Sequence, residues 1–222
     1  MKEESTSALL EFEKLTKKEA QERALAFYDL MKKRRTVRHF SKKAIPGSVI
    51  ENAIKTAGTA PSGAHKQPWQ FCVVKNRELK HKIRLAAEKE EKQNYEARFS
   101  NSTKNDLAVF ETSFIKEFID DAPAVIVVFK ENYRIRKGVK YKNYYVNESV
   151  GIAAGFLIAA LHYAGLATLT HTPNPMKFLN DILDRPRNET PILLMPVGYP
   201  HKEAVVPNLK RKMSWEIMQV YE

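Results

Sequence analysis

Residues 145–164 are apolar on nearly every face, with Gly151, Ala153, Ala154, Gly155, Ala159 and Ala160 set among larger aliphatic groups. A helix with no polar face needs apolar neighbours all round it. Its small residues admit a second helix at close range, so the segment is also a candidate for lying near a subunit interface. The rest of the chain can supply such surroundings: 43% of its 222 residues are hydrophobic, which excludes disorder for the body. Residues 1–15 are polar and weakly periodic and are expected to form a flexible arm, with residues 16–222 as one domain.

The longest apolar run, 152–161, is broken by Gly155 and falls short of the roughly 20 residues a spanning helix needs. The opening MKEESTSALLEFEK lacks the apolar centre of a signal peptide, so a cytoplasmic protein is expected. Cys72 is the only cysteine; a disulfide within the chain and a thiolate zinc cluster are excluded, and no metal is expected. Its setting in an apolar run predicts a small buried hydrophobe. The formal charge of +11 invites an anionic partner. The lysines alternate with glutamates, as in KHKIRLAAEKEEK, which is the pattern of a solvated helix face rather than a nucleic-acid surface.

Thr16 and Glu19 have the spacing of a capping box, and Leu25, Tyr28 and Met31 predict a buried stripe on the helix that follows. Pro46 is placed to open a second helix and Gly58 to close it. Residues 78–99 and 106–120 read as further helices, and Gly165 ends the apolar one. Residues 69–75, 124–130, 166–170 and 192–199 read as strands, with a basic loop after the second. About four strands, far apart in sequence among at least five helices, give an α+β order. GxGxxG, Walker, GxSxG and HExxH motifs are absent.

Two segments carry chemistry. RRTVRHF (34–40) places Arg34, Arg35 and Arg38 around the Thr36 hydroxyl directly after a helix. Guanidinium forks and a hydroxyl suit a terminal phosphate, and a cationic helix C-terminus is favourable in itself. The chemistry alone leaves both readings standing. In TAPSGAHKQPW (59–69), Pro61 and Pro68 stiffen a loop in which Gly63 allows a close approach and Ser62 offers a hydroxyl to a planar heterocycle. Taken alone, such a Pro–Ser–Gly loop is more often a plain turn than a binding loop.

Taken together with MPVGYP and PNLKRK near the C-terminus, these segments resemble the flavin-binding elements of the nitroreductase superfamily. GTAPSGAH with QPW, EEKQNY, FIKEFIDDAP and GYPHKEAVVPNLKRK are similar to the narrower group of iodotyrosine deiodinases. The resemblance runs over residues 28–213. It leaves out the N-terminal membrane anchor of the animal enzymes, so a soluble, bacterial relative is expected. It implies a nitroreductase-like α/β sandwich, a central mixed sheet flanked by helices, in an arm-exchanged homodimer with FMN at the interface. Arg34, Arg35, Thr36, Val37, Arg38, Pro61, Ser62, Gly63 and Arg211 are then cofactor residues, joined by Thr170, His171 and Thr172. Thr172 is the implied hydroxyl donor to flavin N5, where it favours one-electron steps. The family often has threonine in place of His171 and serine in place of Thr36.

The same resemblance assigns Glu91, Tyr95 and Lys116 to a lid that holds the zwitterion of a halogenated tyrosine, with the Ala64 amide on the phenolate. Glu91 and Tyr95 lie four apart, hence on one helix face. A carboxylate suits an ammonium, and a lysine suits a carboxylate. The neighbouring Glu88 and Glu90 leave open which glutamate faces the ligand. The implied reaction is FMN-dependent reductive dehalogenation of mono- and di-iodotyrosine to tyrosine and iodide. A general NAD(P)H-dependent nitroreductase or quinone reductase is the alternative. The reductant is left open between NAD(P)H-linked supply and a reduced flavodoxin or ferredoxin.

Overall fold

A computed structural model describes residues 7–222, which fall into two compact units divided after Arg34. In the first, residues 7–16 are irregular and exposed, and the remainder of the expected arm lies outside the described residues. Helix α1 (Lys17–Met31) starts at the expected capping box: the Glu19 amide donates to Thr16 Oγ1 at 3.2 Å and the Thr16 amide to Glu19 Oε2 at 2.8 Å. The expected buried stripe is not buried. Leu25 is 59% and Tyr28 63% exposed, because this unit holds no second element for the stripe to face.

The second unit is built on a four-stranded sheet. Its strands are β1 (Trp69–Val74), β2 (Ala124–Glu131), β5 (Ala167–Thr168) and β6 (Glu189–Gly198), in the order β1-β2-β6-β5 and antiparallel throughout. A parallel bridge from Thr36 to Thr168 adds the arginine-bearing segment at the edge and makes the sheet mixed. The continuous run in β2 explains its place inside: each face of the strand feeds a different core. Val125, Val127 and Phe129 pack with Ile83 and Ala87 of α3 (Arg77–Gln93), Phe118 and Ile119 of α5 (Phe118–Asp121), and Leu179 of α7 (Phe178–Ile182). Ala124, Ile126 and Val128 pack with Ile50, Ala53 and Ala57 of α2 (Gly47–Gly58) and with Val150, Leu157 and Leu161 of α6 (Val146–Tyr163). The result is a helix–sheet–helix sandwich. Cys72 is half-buried against the first core, and burial raises its thiol pKa, as suits an inert packing residue.

Three expectations are corrected. Residues 106–120 do not form one helix: α4 (Asn101–Ala108) ends early, and α5 begins only at Phe118. Between them Glu111 has φ 48°, and the Ser113 hydroxyl accepts from the Ile115 amide at 3.2 Å, a side-chain turn that competes with helical bonding. The basic loop after β2 is a hairpin of β3 (Tyr133–Arg136) and β4 (Val139–Lys142), turned by Lys137 and Gly138 with φ 48° and 75°. Two positive φ angles in a two-residue turn match the twist of such strands. Lastly, α6 is buried on one face only. Ile152 is 42%, Phe156 40% and Tyr163 78% exposed, and nothing lies within 4 Å of a Cβ built on Gly151 or Gly155. Eighteen residues long with a mean hydropathy of 1.2, α6 has the length and composition of a membrane span, yet it is the helix that closes the second core. The chain ends in an exposed arm with the short helix α8 (Ser214–Ile217).

Candidate active site

The sheet edge sets the first part of the site. The Val37 amide donates to the Thr168 carbonyl at 3.3 Å while the Val37 side chain enters the core. Thr36 and Arg38 therefore alternate to the opposite side and are half-buried. Arg35 donates to the Pro207 carbonyl, which ties the start of the C-terminal arm to this edge. Arg211 lies four residues further along that exposed arm. Arg34 closes the first unit, at the end of α1.

Beyond β5 the chain runs through Thr170, His171 and Thr172. The His171 backbone exchanges hydrogen bonds with Leu194 of β6, both 2.9 Å. That pairing fixes the alternation: Thr170 and Thr172 are exposed and His171 turns inward. Its ring meets Phe118 edge to face at a centroid distance of 5.7 Å, and its Nε2 is buried without a hydrogen-bond partner. Burial, aided by Lys116 and Arg38, lowers its pKa from 6.5 to about 3, so the imidazole is neutral near pH 7.

Lys116 and Glu91 meet over this floor. Their charged groups lie 3.1 Å apart with side chains 4% and 9% exposed. The Lys116 ammonium also sits 5.7 Å from the Tyr95 ring centroid, and the Tyr95 hydroxyl donates to the Thr112 carbonyl at 3.2 Å. Burial lowers the Lys116 pKa, against the pull of Glu91, and nearby Arg38 lowers it further. Burial raises the Tyr95 phenol. Glu91, Tyr95, Lys116, Arg38 and His171 are thus one electrostatic neighbourhood. The three glutamates have different partners: Glu91 faces Lys116, Glu90 pairs with Arg98 at 2.8 Å, and Glu88 accepts from the Lys116 main-chain amide at 2.7 Å.

Pro61, Ser62, Gly63 and Ala64 form a second cluster, anchored on the start of α6. The Gly63 amide donates to Ser149 Oγ at 3.3 Å, and a Cβ on Gly63 would meet the Tyr145 ring at 2.7 Å. The Ser62 hydroxyl is used inside the loop, accepting from the Gln67 amide at 2.9 Å. Ala64, His65 and Gln67 have φ of 48°, 51° and 46°. Three side-chain-bearing residues in the left-handed region make this a strained loop held by tertiary bonds, a feature of binding sites more than of plain turns.

The match with known proteins decides the family. The nitroreductase family model covers residues 31–199. The chain belongs to the nitroreductase family. Within it the chain stands with the iodotyrosine deiodinases. It is 57% identical over 196 residues to an iodotyrosine deiodinase of Haliscomenobacter hydrossis, covering 88% of each chain. With human iodotyrosine deiodinase 1 it shares 49% identity over 203 residues, 90% of this chain and 70% of the human one. A crystal structure of oxidized iodotyrosine deiodinase bound to FMN and 3-iodo-L-tyrosine superposes with a TM-score of 0.73 at 32% identity, covering 88% of this chain and 97% of that one.

Two features of this nitroreductase-family site fit an anionic, planar cofactor. Arg38 is half-buried, its pKa is lowered by desolvation, and among the described residues no carboxylate pairs with it. A desolvated guanidinium of that kind is accounted for by acceptor atoms from a ligand. Gly63 keeps the loop against Tyr145 at a distance no side chain would permit. Sequence reading overlooked some of the groups that support the Glu91–Lys116 pair. Arg84 continues the Glu88, Glu91 and Tyr95 stripe at helical spacing and was legible; Glu88, considered only as a ligand-facing residue, holds the Lys116 amide. Buried Asn94, whose Nδ2 donates to the Asn174 carbonyl at 2.9 Å and so ties the end of α3 to the loop after Thr172, had no local signal.

Proposed function

We propose that the protein is an FMN-dependent reductive dehalogenase of halogenated tyrosines, converting iodotyrosine, two electrons and a proton to tyrosine and iodide. The observation that carries this reading is the buried Glu91–Lys116 pair with Tyr95 beside it. Two opposite charges held side by side, both shielded from water, are complementary to an amino-acid zwitterion, the ammonium to Glu91 and the carboxylate to Lys116. A general nitroaromatic substrate gives such a pair nothing to do. Bound FMN supplies the electrons.

The chain's own residues bind, orient and exclude water. Arg35, Thr36 and Arg38 hold the phosphate and ring edge, with the Val37 backbone between them; Arg34 and Arg211 are added from the motif. Pro61, Ser62 and Gly63 line the ring, and the Ala64 amide takes the substrate phenolate. Thr170 and Thr172, on the outward side of their stretch, would face the flavin, with the Thr172 hydroxyl as the donor to N5, and the inward-turned His171 would contribute its backbone. Closing the lid over the substrate excludes water. The exposed apolar face of α6 and the arm bearing Trp215, Ile217 and Tyr221, each more than 70% exposed, support a homodimer in which a second copy covers them. A cytoplasmic location is part of the proposal.

The test is titration of flavin fluorescence with 3-iodotyrosine in the parent, Glu91→Gln and Lys116→Met. Saturable quenching in the parent, weakened about 100-fold or more in each variant as expected for a lost buried charge pair, supports the reading. Unchanged binding in the variants, with strong NAD(P)H-driven reduction of nitroaromatics, supports the general reductase instead.

A further inference from the structure

Lys116 is held from two directions by one helix. Its ammonium meets Glu91, and its main-chain N–H donates to Glu88 Oε1 at 2.7 Å. The same Glu88 oxygen accepts from Arg84 Nε at 2.7 Å, and Arg84 NH1 reaches Asp120 Oδ2 at 3.1 Å, on the far side of Lys116 in α5. Arg84 and Glu88 are 20% and 17% exposed, so these bonds are largely shielded from water. Arg84, Glu88, Glu91 and Tyr95 fall on one face of the helix, at steps of four, three and four. A single stripe therefore carries both the ammonium partner of Lys116 and the fastening of its backbone.

The Glu91–Lys116 pair cannot persist unchanged when a zwitterion arrives. The ligand ammonium takes over Glu91, and the Lys116 ammonium turns to the ligand carboxylate. One buried ion pair is exchanged for two, and no charge is left alone. The exchange releases the one side-chain bond that joins Lys116 to α3. The segment before it has no regular helix between Ala108 and Phe118 to hold it in place.

Resting on the proposed function, we propose that Glu88, braced by Arg84, is a positioning residue for substrate recognition: it pins the Lys116 backbone to α3 while the Lys116 ammonium changes partner. Glu88 touches neither cofactor nor substrate. Its contribution is selective for ligands that bear an α-carboxylate, because only these engage Lys116. A residue that merely stabilised the fold would affect all ligands alike.

The experiment compares 3-iodotyrosine with 3-iodotyramine, which keeps the ammonium and the iodinated phenol but lacks the carboxylate, by flavin-fluorescence titration of the FMN-loaded protein. Glu88→Ala is expected to weaken iodotyrosine binding about tenfold and iodotyramine binding by less than about twofold, as for one lost charge-assisted hydrogen bond. Glu88→Gln keeps an oxygen acceptor for the amide and is expected to stay within about threefold of the parent for both ligands. If Glu88→Ala does not fold, Arg84→Met loosens the brace and is expected to give the same selective loss at about threefold. Iodotyrosine affinity unchanged in Glu88→Ala and Arg84→Met, or an equal loss for both ligands, overturns the proposal. Failure of the parent itself to bind iodotyrosine overturns the functional reading on which it rests.

Discussion

At the scale of single residues, Glu91 and Lys116 form a buried ion pair and behave as one. Removing one partner leaves the other desolvated and alone. Lys116→Met is expected to destabilise the protein by about 3–5 kcal/mol, and adding Glu91→Leu to recover most of that loss, measured by denaturant unfolding. His171 gives a second prediction. Its folded pKa of about 3 lies below its ordinary 6.5, so as pH falls through that window the unfolded chain takes up a proton that the folded one refuses. Stability is therefore lost on acidification from about 6.5 toward 3, most steeply in the middle of that window, where the unfolded histidine is protonated and the folded one is not, by up to about 1.4 kcal/mol per pH unit. His171→Thr is expected to lack this contribution, so its unfolding free energy should decline less steeply than the parent's over the same pH range. At this scale the sequence was informative where side-chain type and helical spacing carried the signal. Glu91 and Tyr95 were legible from their spacing and Arg38 from its cluster. The bond from Asn94 to Asn174 was not, because its partners are 80 residues apart and nothing local marks either one.

At the scale of elements, the arrangement is set by alternation. β2 feeds two cores from its two faces, and the β5–His171 stretch turns His171 inward and Thr170 and Thr172 outward. Both follow from a period of two, which is why the main strands were readable. The hairpin of β3 and β4 was missed because its strands are short, largely exposed and rich in basic residues, although YRIR and VKYK alternate and Lys137–Gly138 marks the turn. The false helix at 106–120 has the opposite cause. Its apolar residues recur at helical intervals, but the Ser113 turn and the positive φ at Glu111 interrupt the hydrogen-bond ladder. The Gly63 loop yields a prediction at this scale. Gly63→Ala would drive a methyl to 2.7 Å from the Tyr145 ring, and relief must come from moving the loop or the start of α6. A loss of about 1–3 kcal/mol is expected, together with weaker FMN retention. Thermal melting and the flavin-to-protein absorbance ratio read the two effects, and Tyr145→Ala should restore part of the stability.

At the scale of the whole molecule, one apolar face of α6 and the apolar residues of the C-terminal arm are exposed among the described residues. The apolar composition of α6 was read as a demand for burial on every face, and the structure buries one face only; the other, with Ile152, Phe156 and Tyr163, is the face that the proposed second copy would cover. Phe156→Glu, placing a charge on the exposed face of α6, is expected to shift the protein toward monomer and to lower FMN content with it. Light scattering and flavin absorbance test both, and a Phe156→Glu protein that stays dimeric and yellow would count against the second copy covering this face.

The central claim is chemical, and anaerobic single turnover addresses it most directly. The FMN-loaded protein is reduced to completion, mixed with 3-iodotyrosine, and followed by flavin absorbance with iodide and tyrosine measured in the product. The account predicts reoxidation of the flavin with about one iodide and one tyrosine formed per flavin, as two-electron stoichiometry requires. Flavin that stays reduced in the presence of saturating iodotyrosine, with no iodide released, would contradict it.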